Sequence, residues 1–457
     1  QCLSDAQRLT IQLESQRIRD SLGFTPTLGA SFPTIEDPFG PGVSNTTGRP
    51  IVFYFDHDAG AGVQDYECSG LTYDGHQGND FAITDFYEMD EGVPVLAVAG
   101  GVVTFKREIY YDRIWQADTA LIEESNIVII SHFDGSEALY VHFRTQKVSV
   151  EIGDTVQTGD TLGLVGSSGY TLFPHVHVEL TQSGVKRDPF SGACNGQSSL
   201  WNVQPPFAGG LPAEVLTHGV TTIPPNDGLV MERPPSQKHI TAGSGLWTWN
   251  LISHIKVGDS LHWDVYHNGS FWTNRGWRHG DQWSAGHRKF WAGYTLGPSP
   301  GADGTYRVEF FLNSVKQYED TFMVNSSANT TPTADDAFYN ALNTEYYDNV
   351  FTGSDADGSI FWYEPVSGPS HGTFFTDGGR RRKFSYKALS GFVGEDTVFF
   401  TVIDDDSAYG DTGMIVFDVG QGCVDPDSDG FGNPGYPGSP CPDDNCPSVY
   451  NPTQDDA

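Results

Sequence analysis

The side chains best placed to do chemistry are four histidines and one aspartate, carried on short segments punctuated by glycine. His76-Gln-Gly-Asn-Asp80 sets an imidazole and a carboxylate four residues apart. Gly75 and Gly78 would each cost a helix roughly 1 kcal/mol, so this spacing predicts a loop feeding a strand rather than one helical face. In the strand that follows, Phe81 and Ile83 would turn to a core and Asp80 to the other side. His175-Val-His177 is the second segment: residues i and i+2 of a strand share a face, so both rings point together while Val176 and Val178 pack inward. Glu179 falls on the same face, where its carboxylate can accept a ring N–H. The third is His142, in a strand over 138–143 whose Leu139, Val141 and Phe143 alternate inward, leaving His142 outward with Tyr140. Two imidazoles and a carboxylate, with water in a fourth position, make an open catalytic zinc site. Such a metal lowers the pKa of its water to about 7 and polarises a carbonyl. Histidines left beside it can move protons or stabilise developing charge.

The elements that must hold these groups read as strands. Short apolar runs broken by Gly and Asp occupy 93–103, 126–132, 138–143 and 161–165. Ahead of them, residues 3–22 place Leu9, Ile11, Leu13 and Ile18 among charges, which predicts an amphipathic helix. Pro-Pro pairs at 205–206 and 224–225 mark linkers. Two further strand-rich stretches follow, separated by a polar segment over 325–333, and the end of the chain is rich in Asp, Pro, Gly and Cys. The organisation expected is a helical extension (1–50), a catalytic domain (51–203), a Trp-rich β-sandwich (204–325), a second β-sandwich (334–420) and a calcium-binding tail (421–457).

Several blocks resemble the lysostaphin/LytM-type metallopeptidases. They are Tyr73-Asp-Gly-His76-Gln-Gly-Asn-Asp80, Val93-Pro-Val-Leu-Ala-Val-Ala-Gly-Gly-Val-Val103, Leu139-Tyr-Val-His142, Gly153-Asp-Thr-Val-Gln-Thr-Gly-Asp160, Gly163-Leu-Val-Gly-Ser-Ser-Gly169 and Pro174-His-Val-His-Val-Glu179. The likeness spans about residues 70–190, roughly a quarter of the chain. It implies an antiparallel barrel-sandwich of the duplicated hybrid motif type with an open groove. It also implies that His76, Asp80 and His177 ligate zinc, and that His142 and His175 are the catalytic pair that activates or orients water. One departure stands out: Tyr170-Thr-Leu-Phe-Pro174 occupies the place where the family usually has a Gly before Pro-His. Leu172 and Phe173 would then alter substrate fit.

Composition narrows the setting. With 59 acidic against 25 basic residues the 457-residue chain carries a net charge of −34, which repels phosphate backbones and anionic lipid and argues against nucleic-acid partners. No apolar run reaches the about 18 residues a membrane span needs. Six cysteines, with no CxxC pair, suit disulfides in an oxidising compartment rather than a cysteine zinc site. A secreted or cell-surface protein is expected, with its signal peptide already removed ahead of Gln1. The cysteine connectivity is open.

The remaining motifs are weighed against plainer readings. His132, before the turn Asp134-Gly135, is read as structural. Tyr73 and Tyr140 are either packing residues or oxyanion donors. Seven of the ten tryptophans lie between Trp247 and Trp291; they are read first as a sandwich core and second as stacking platforms for glycan. Ser354-Asp-Ala-Asp357-Gly358, Val366-Ser-Gly-Pro-Ser-His-Gly-Thr373 and Phe392-Val-Gly-Glu-Asp396 resemble cadherin-like repeats, in which Asp355, Asp357 and Asp404 to Asp406 are calcium ligands or turn acids. Asp425-Pro-Asp427-Ser-Asp429-Gly430 and Cys441-Pro-Asp443-Asp-Asn445-Cys446 resemble a thrombospondin type 3 repeat, truncated at the C-terminus. This makes Asp425, Asp427, Asp429, Asp443 and Asn445 candidate ligands for structural Ca2+. The fold class expected is mainly β and multidomain. The function expected is a secreted zinc endopeptidase acting on peptidoglycan cross-links or Gly-rich peptides. The alternatives are a protease of extracellular proteins and a non-enzymatic wall- or glycan-binding protein.

Overall fold

The structure is a computed structural model that describes residues 3–26, 33–46, 48–114, 125–222, 224–225, 227–278, 280, 290–291, 294–295, 302–325, 329–342, 347–376, 382–405 and 408–420. It is mainly β and multidomain. Two compact units divide the chain. The first comprises Gln1–Ser236, Gly245–Pro298 and Thr305–Thr321, and the second Gln237–Ser244, Ser299–Gly304 and Phe322–Ala457.

The first unit opens with helix α1 (Asp5–Leu22), capped by Ser4, whose hydroxyl and backbone exchange hydrogen bonds with Gln7, and closed by Gly23 at φ 65°. Eleven strands follow: β1 (Ile51–Phe53), β2 (Asn79–Ala82), β3 (Pro94–Leu96), β4 (Gly101–Arg107), β5 (Ile127–Ser131), β6 (Glu137–Val141), β7 (Phe143–Val148), β8 (Thr155–Val156), β9 (Thr161–Val165), β10 (His175–Gln182) and β11 (Val185–Arg187). A short helix, α2 (Phe86–Glu91), sits between β2 and β3. The strands form an eight-stranded sheet, β1-β2-β10-β6-β5-β4-β8 with β11 beside β10, and a three-stranded sheet, β3-β9-β7. Neither closes on itself, so the expected barrel is an open sandwich among the described strands. Phe81, Val103, Val128, Tyr140, Val176 and Val178 from the large sheet share one buried cluster with Val95, Phe143, Leu162 and Val165 from the small one. Removing each such side chain from water contributes about 1.5–3 kcal/mol.

Two details depart from the sequence expectations. The strand expected over 93–103 is two strands in different sheets, because the chain crosses from β3 to β4 through residues 97–100. Helix α1 buries Arg8, Ile11 and Ser15 and leaves Leu9 and Leu13 exposed at 57% and 49%. Positions 9 and 11 differ by about 200° around a helix, so the apolar residues could not all face one way. Ile11 and Leu3 instead pack on Phe105, Ile127, Ile129, Leu139 and Val141, on the outer face of the large sheet.

Further along the first unit, strands Glu214–Thr221 and Trp247–Ser253 pair antiparallel, and Ser260–His267 pairs with Ser270–Arg278 and Gly304–Leu312. Trp249 and Trp263 are fully buried, in accord with the core reading for these two, whereas Trp247, Trp272 and Trp277 are only partly buried. Trp249 and Leu251 belong to the same cluster as the core between the eight-stranded and three-stranded sheets. Cys68 and Cys194 form a disulfide.

In the second unit, Ala337–Leu342 runs parallel to Tyr409–Gly420, which continues antiparallel to Gly394–Asp404 and then Ile360–Ser367. Tyr347–Val350, Lys383–Ala388 and Gly372–Thr376 make the facing sheet. Phe351, Tyr386, Phe400 and Phe417 fill the space between them. The acids of this unit act as acceptors. Asp404 takes Ala408 N–H and Asn329 Nδ2–H, Asp405 takes Ser359 N–H, and Asp357 takes Thr330 N–H. Asp425, Asp427, Asp429, Asp443 and Asn445 lie outside the described residues.

Candidate metal centre

Register brings the sequence-distant groups together. Strands β2 and β10 are antiparallel with Asp80 opposite His177, so their side chains leave the sheet side by side. His76 arrives from the turn before β2. Gly75, at φ 74°, reverses the chain there, and its N–H donates to Asp56. His76 Nε2, Asp80 Oδ1 and His177 Nδ1 then lie 3.2, 3.1 and 2.6 Å from one another.

Each ring is oriented by its other nitrogen. His76 Nδ1–H donates to the Tyr54 carbonyl at 2.6 Å, leaving Nε2 to carry the lone pair. His177 is reversed: Nε2–H donates to Glu179 at 3.0 Å and Nδ1 faces Asp80. His175 lies on the same face of β10. Its Nδ1 is 2.9 Å from the Phe173 carbonyl and its Nε2 is 3.6 Å from Asp80 Oδ1. His142 donates from Nδ1 to the Ser168 carbonyl at 2.6 Å, and its ring centre is 4.5 Å from that of His175.

His142 reaches this place by a route that strand alternation does not predict. Strand β6 ends at Val141 and β7 begins at Phe143 in the other sheet, and His142 makes the crossing at φ 78°. Its N–H donates to Asn126 and its carbonyl accepts from Gly166. Such a backbone costs of order 1–3 kcal/mol and is found at functional sites. Tyr140 faces the core, not the groove, and its hydroxyl accepts Val98 N–H at 2.8 Å. Leu139 and Val141 face α1. The inward and outward sets expected for β6 are therefore exchanged.

All five groups are at most 3% exposed. Burial alone would raise the Asp80 carboxyl. The His76 and His175 imidazoles, with hydrogen bonds from His177 and His76, outweigh it and hold the group well below the usual carboxylate range. Burial would likewise raise Glu179, yet the His177 hydrogen bond, Lys186 and Arg8 keep it low. His76, Asp80 and His177 form the one group among the described residues that is arranged to hold a metal ion. Tetrahedral ligands at about 2.0–2.1 Å from zinc sit about 3.3 Å apart. Two of the three separations are near that value, and the donor set of two imidazoles and a carboxylate suits zinc. The residues fit the ion.

Two residues that complete this site escape sequence reasoning. Arg8 and Lys186 both reach Glu179, and no spacing ties Arg8 to a strand 171 positions later. Tyr73 packs its ring 4.3 Å from His76. His132 is buried, with Nδ1 2.8 Å from the Gly100 carbonyl, in keeping with a structural role. Tyr170 and Leu172, on the loop before β10, are 43% and 49% exposed.

Fold and site together define a β-sandwich domain with a buried cluster of two histidines and a carboxylate that could hold a metal ion. Residues 74–189 match the family model for Peptidase family M23, and residues 329–417 that for a bacterial Ig domain. Residues 74–189 are thus similar to an M23 peptidase domain, and the second β-sandwich, where the sequence resembles cadherin-like repeats, is similar to a bacterial Ig domain. Over 108 residues it is 34% identical to the DD-carboxypeptidase/endopeptidase Mpg of Neisseria meningitidis serogroup B, covering 23% of this chain and 21% of that one. Over 109 residues it is 32% identical to the peptidoglycan DD-endopeptidase ShyA of Vibrio cholerae, covering 24% and 21%. Among solved structures, the catalytic domain of lysostaphin from Staphylococcus simulans aligns at 25% identity over 30% of this chain and 85% of that one, with a TM-score of 0.20. The chain spans about a fifth of the length of the curated relatives it matches.

Proposed function

We propose that this protein is a zinc metalloendopeptidase that hydrolyses peptide bonds in peptidoglycan cross-links. One observation carries the reading: His76, Asp80 and His177 converge with ligand atoms within 4.8 Å, beside the His142–His175 pair. His76 Nε2, Asp80 Oδ1 and His177 Nδ1 would hold the ion. When bound, zinc supplies Lewis acidity to a scissile carbonyl and makes water nucleophilic near neutral pH. The protein's own part is positional and protonic. Carbonyl bonds at Nδ1 of His142 and of His175 direct each Nε2 toward the reacting groups, where one ring accepts a proton from water and the other stabilises charge or returns a proton to the leaving amine. Asp80, held ionised, supplies a fixed negative charge among the imidazoles.

The M23 match and the relatives named for peptidoglycan cleavage support the substrate class. The Cys68–Cys194 disulfide suits a secreted protein, and among the described residues no helix is long and apolar enough to cross a membrane. A second reading, cleavage of extracellular proteins, is favoured by the Leu172-Phe173 flank, where Leu172 is exposed and the Phe173 ring lies 5.0 Å from that of His175. Digestion of purified peptidoglycan and of a Gly-rich protein, with products sequenced by mass spectrometry, separates them. New amine and carboxyl ends in muropeptide stems or bridges support the proposal. Cleavage confined to the protein substrate overturns it in favour of the second reading.

A further inference from the structure

The carboxylate of Glu179 is where the N-terminal helix meets the metal centre. Glu179 follows His177 by two residues in β10 and leaves the same face of the sheet. That face continues through Val141, Leu139 and Ile129 of the neighbouring strands, on which Leu3 and Ile11 lie. Arg8, one helical turn before Ile11, is carried beneath α1 and is 5% exposed; Glu179 is 0% exposed. The guanidinium approaches Glu179 Oε1 through Nη2 at 2.7 Å and Nε at 3.1 Å, and Nη1 donates to the Leu3 carbonyl. Lys186 of β11 donates to Oε2. Oε1 also accepts His177 Nε2–H at 3.0 Å.

This chain of contacts has a physical consequence. A carboxylate this deeply buried is costly unless paired. The guanidinium is a planar fork of donors, so it neutralises the charge and also fixes the rotation of the carboxylate plane. Lys186 can match the charge but not the orientation, because an ammonium is a point donor. With Arg8 in place, Oε1 stays aligned with the His177 ring N–H. That alignment fixes the tautomer that presents Nδ1 to Asp80 and raises the basicity of Nδ1.

We propose that Arg8 is a positioning residue for the metal centre, acting through Glu179 on His177, so that helix α1 is a working part of the metal-binding unit. The inference rests on the reading of His76, Asp80 and His177 as the zinc ligands. Arg8 lies well ahead of the segment that matches the M23 family model. The support it gives belongs to this chain's own N-terminal helix.

The test uses the full chain, stripped of metal by chelator dialysis. Its readouts are the zinc dissociation constant, by competition with a chromophoric chelator, and the visible absorption of the cobalt(II) form. Arg8→Met should weaken zinc about tenfold and change the cobalt spectrum, and Arg8→Lys should recover part of both. In a Glu179→Gln background, Arg8→Met should change the constant less than twofold, because the route is already cut. Ser15→Ala, which loosens the same helix at Thr104 without touching Glu179, should leave the constant unchanged. Wild-type affinity and spectrum in Arg8→Met would overturn the inference, as would an equal loss in Ser15→Ala or an undiminished effect in the Glu179→Gln background. If Arg8→Met fails to fold, Arg8→Lys decides by the same two readouts, and wild-type values there overturn the inference. A His177→Ala protein that binds zinc as tightly as wild type would instead overturn the ligand assignment itself.

Discussion

Gly78 offers a sharp steric test of the metal centre. It lies in the turn between His76 and β2, and a Cβ there would fall 2.5 Å from the Val178 carbonyl oxygen and 2.7 and 2.8 Å from Cε1 and Nε2 of His177. Carbon contacts settle at about 3.5–4.0 Å, so roughly 0.7–1 Å must be found somewhere. Strand β10 cannot yield easily, because Val178 is paired with Asn79 on one side and Tyr140 on the other. The ring cannot swing without leaving Glu179, 3.0 Å from its Nε2. Gly78→Ala should therefore displace the ring. Overpacking of this kind costs about 1–3 kcal/mol, and a displaced ligand costs about 10–100-fold in metal affinity. Thermal denaturation of the metal-free protein reads the first effect, and zinc titration against a competing chelator reads the second. Gly210→Ala serves as control, since a Cβ there meets nothing within 4 Å. A Gly78→Ala protein with zinc affinity within twofold of wild type would refute the reasoning, because it would mean that the His177 ring is not held where the distances place it.

Other outcomes follow from the same geometry. His142→Asn, chosen because Asn tolerates φ 78°, and His175→Ala should each lower kcat at least about 100-fold while zinc content by atomic emission stays at the wild-type level. Burial lowers His254 to about 4, with Lys256 adding to the effect. The unfolded chain therefore binds the extra proton first, and stability falls as pH drops from about 6.5 through 4. The loss amounts to up to about 3 kcal/mol. His254→Asn should flatten that part of a denaturation-versus-pH curve. Reduction of Cys68–Cys194, which are 126 residues apart, should lower stability by up to about 5 kcal/mol on loop-entropy grounds, read as a drop in Tm with dithiothreitol.

The legibility of this protein in its sequence tracks the range of the forces involved. The faces of β2 and β10 were readable because strand alternation is local: Val176 and Val178 had to go inward, so His175, His177 and Glu179 had to share the other side. Strand β9 was readable as a short apolar run bounded by Asp160 and Gly166. His142 was recognisable as a residue of interest, but not its environment. Its placement depends on a crossing between sheets at positive φ, which overrides the alternation of residues 138–143. The face of α1 was hidden because Leu9, Ile11 and Leu13 cannot share one side, and the buried polar pair Arg8–Glu179 leaves no periodic trace. The pairing of Cys68 with Cys194 is likewise a product of tertiary structure.

Zinc stoichiometry, measured by atomic emission on the purified protein and on His177→Ala prepared in parallel, tests the metal centre most directly. One zinc per chain in the wild type and close to none in His177→Ala is the expected result. Equal zinc in both proteins, or hydrolysis by the wild type at full rate with no zinc bound, would contradict it.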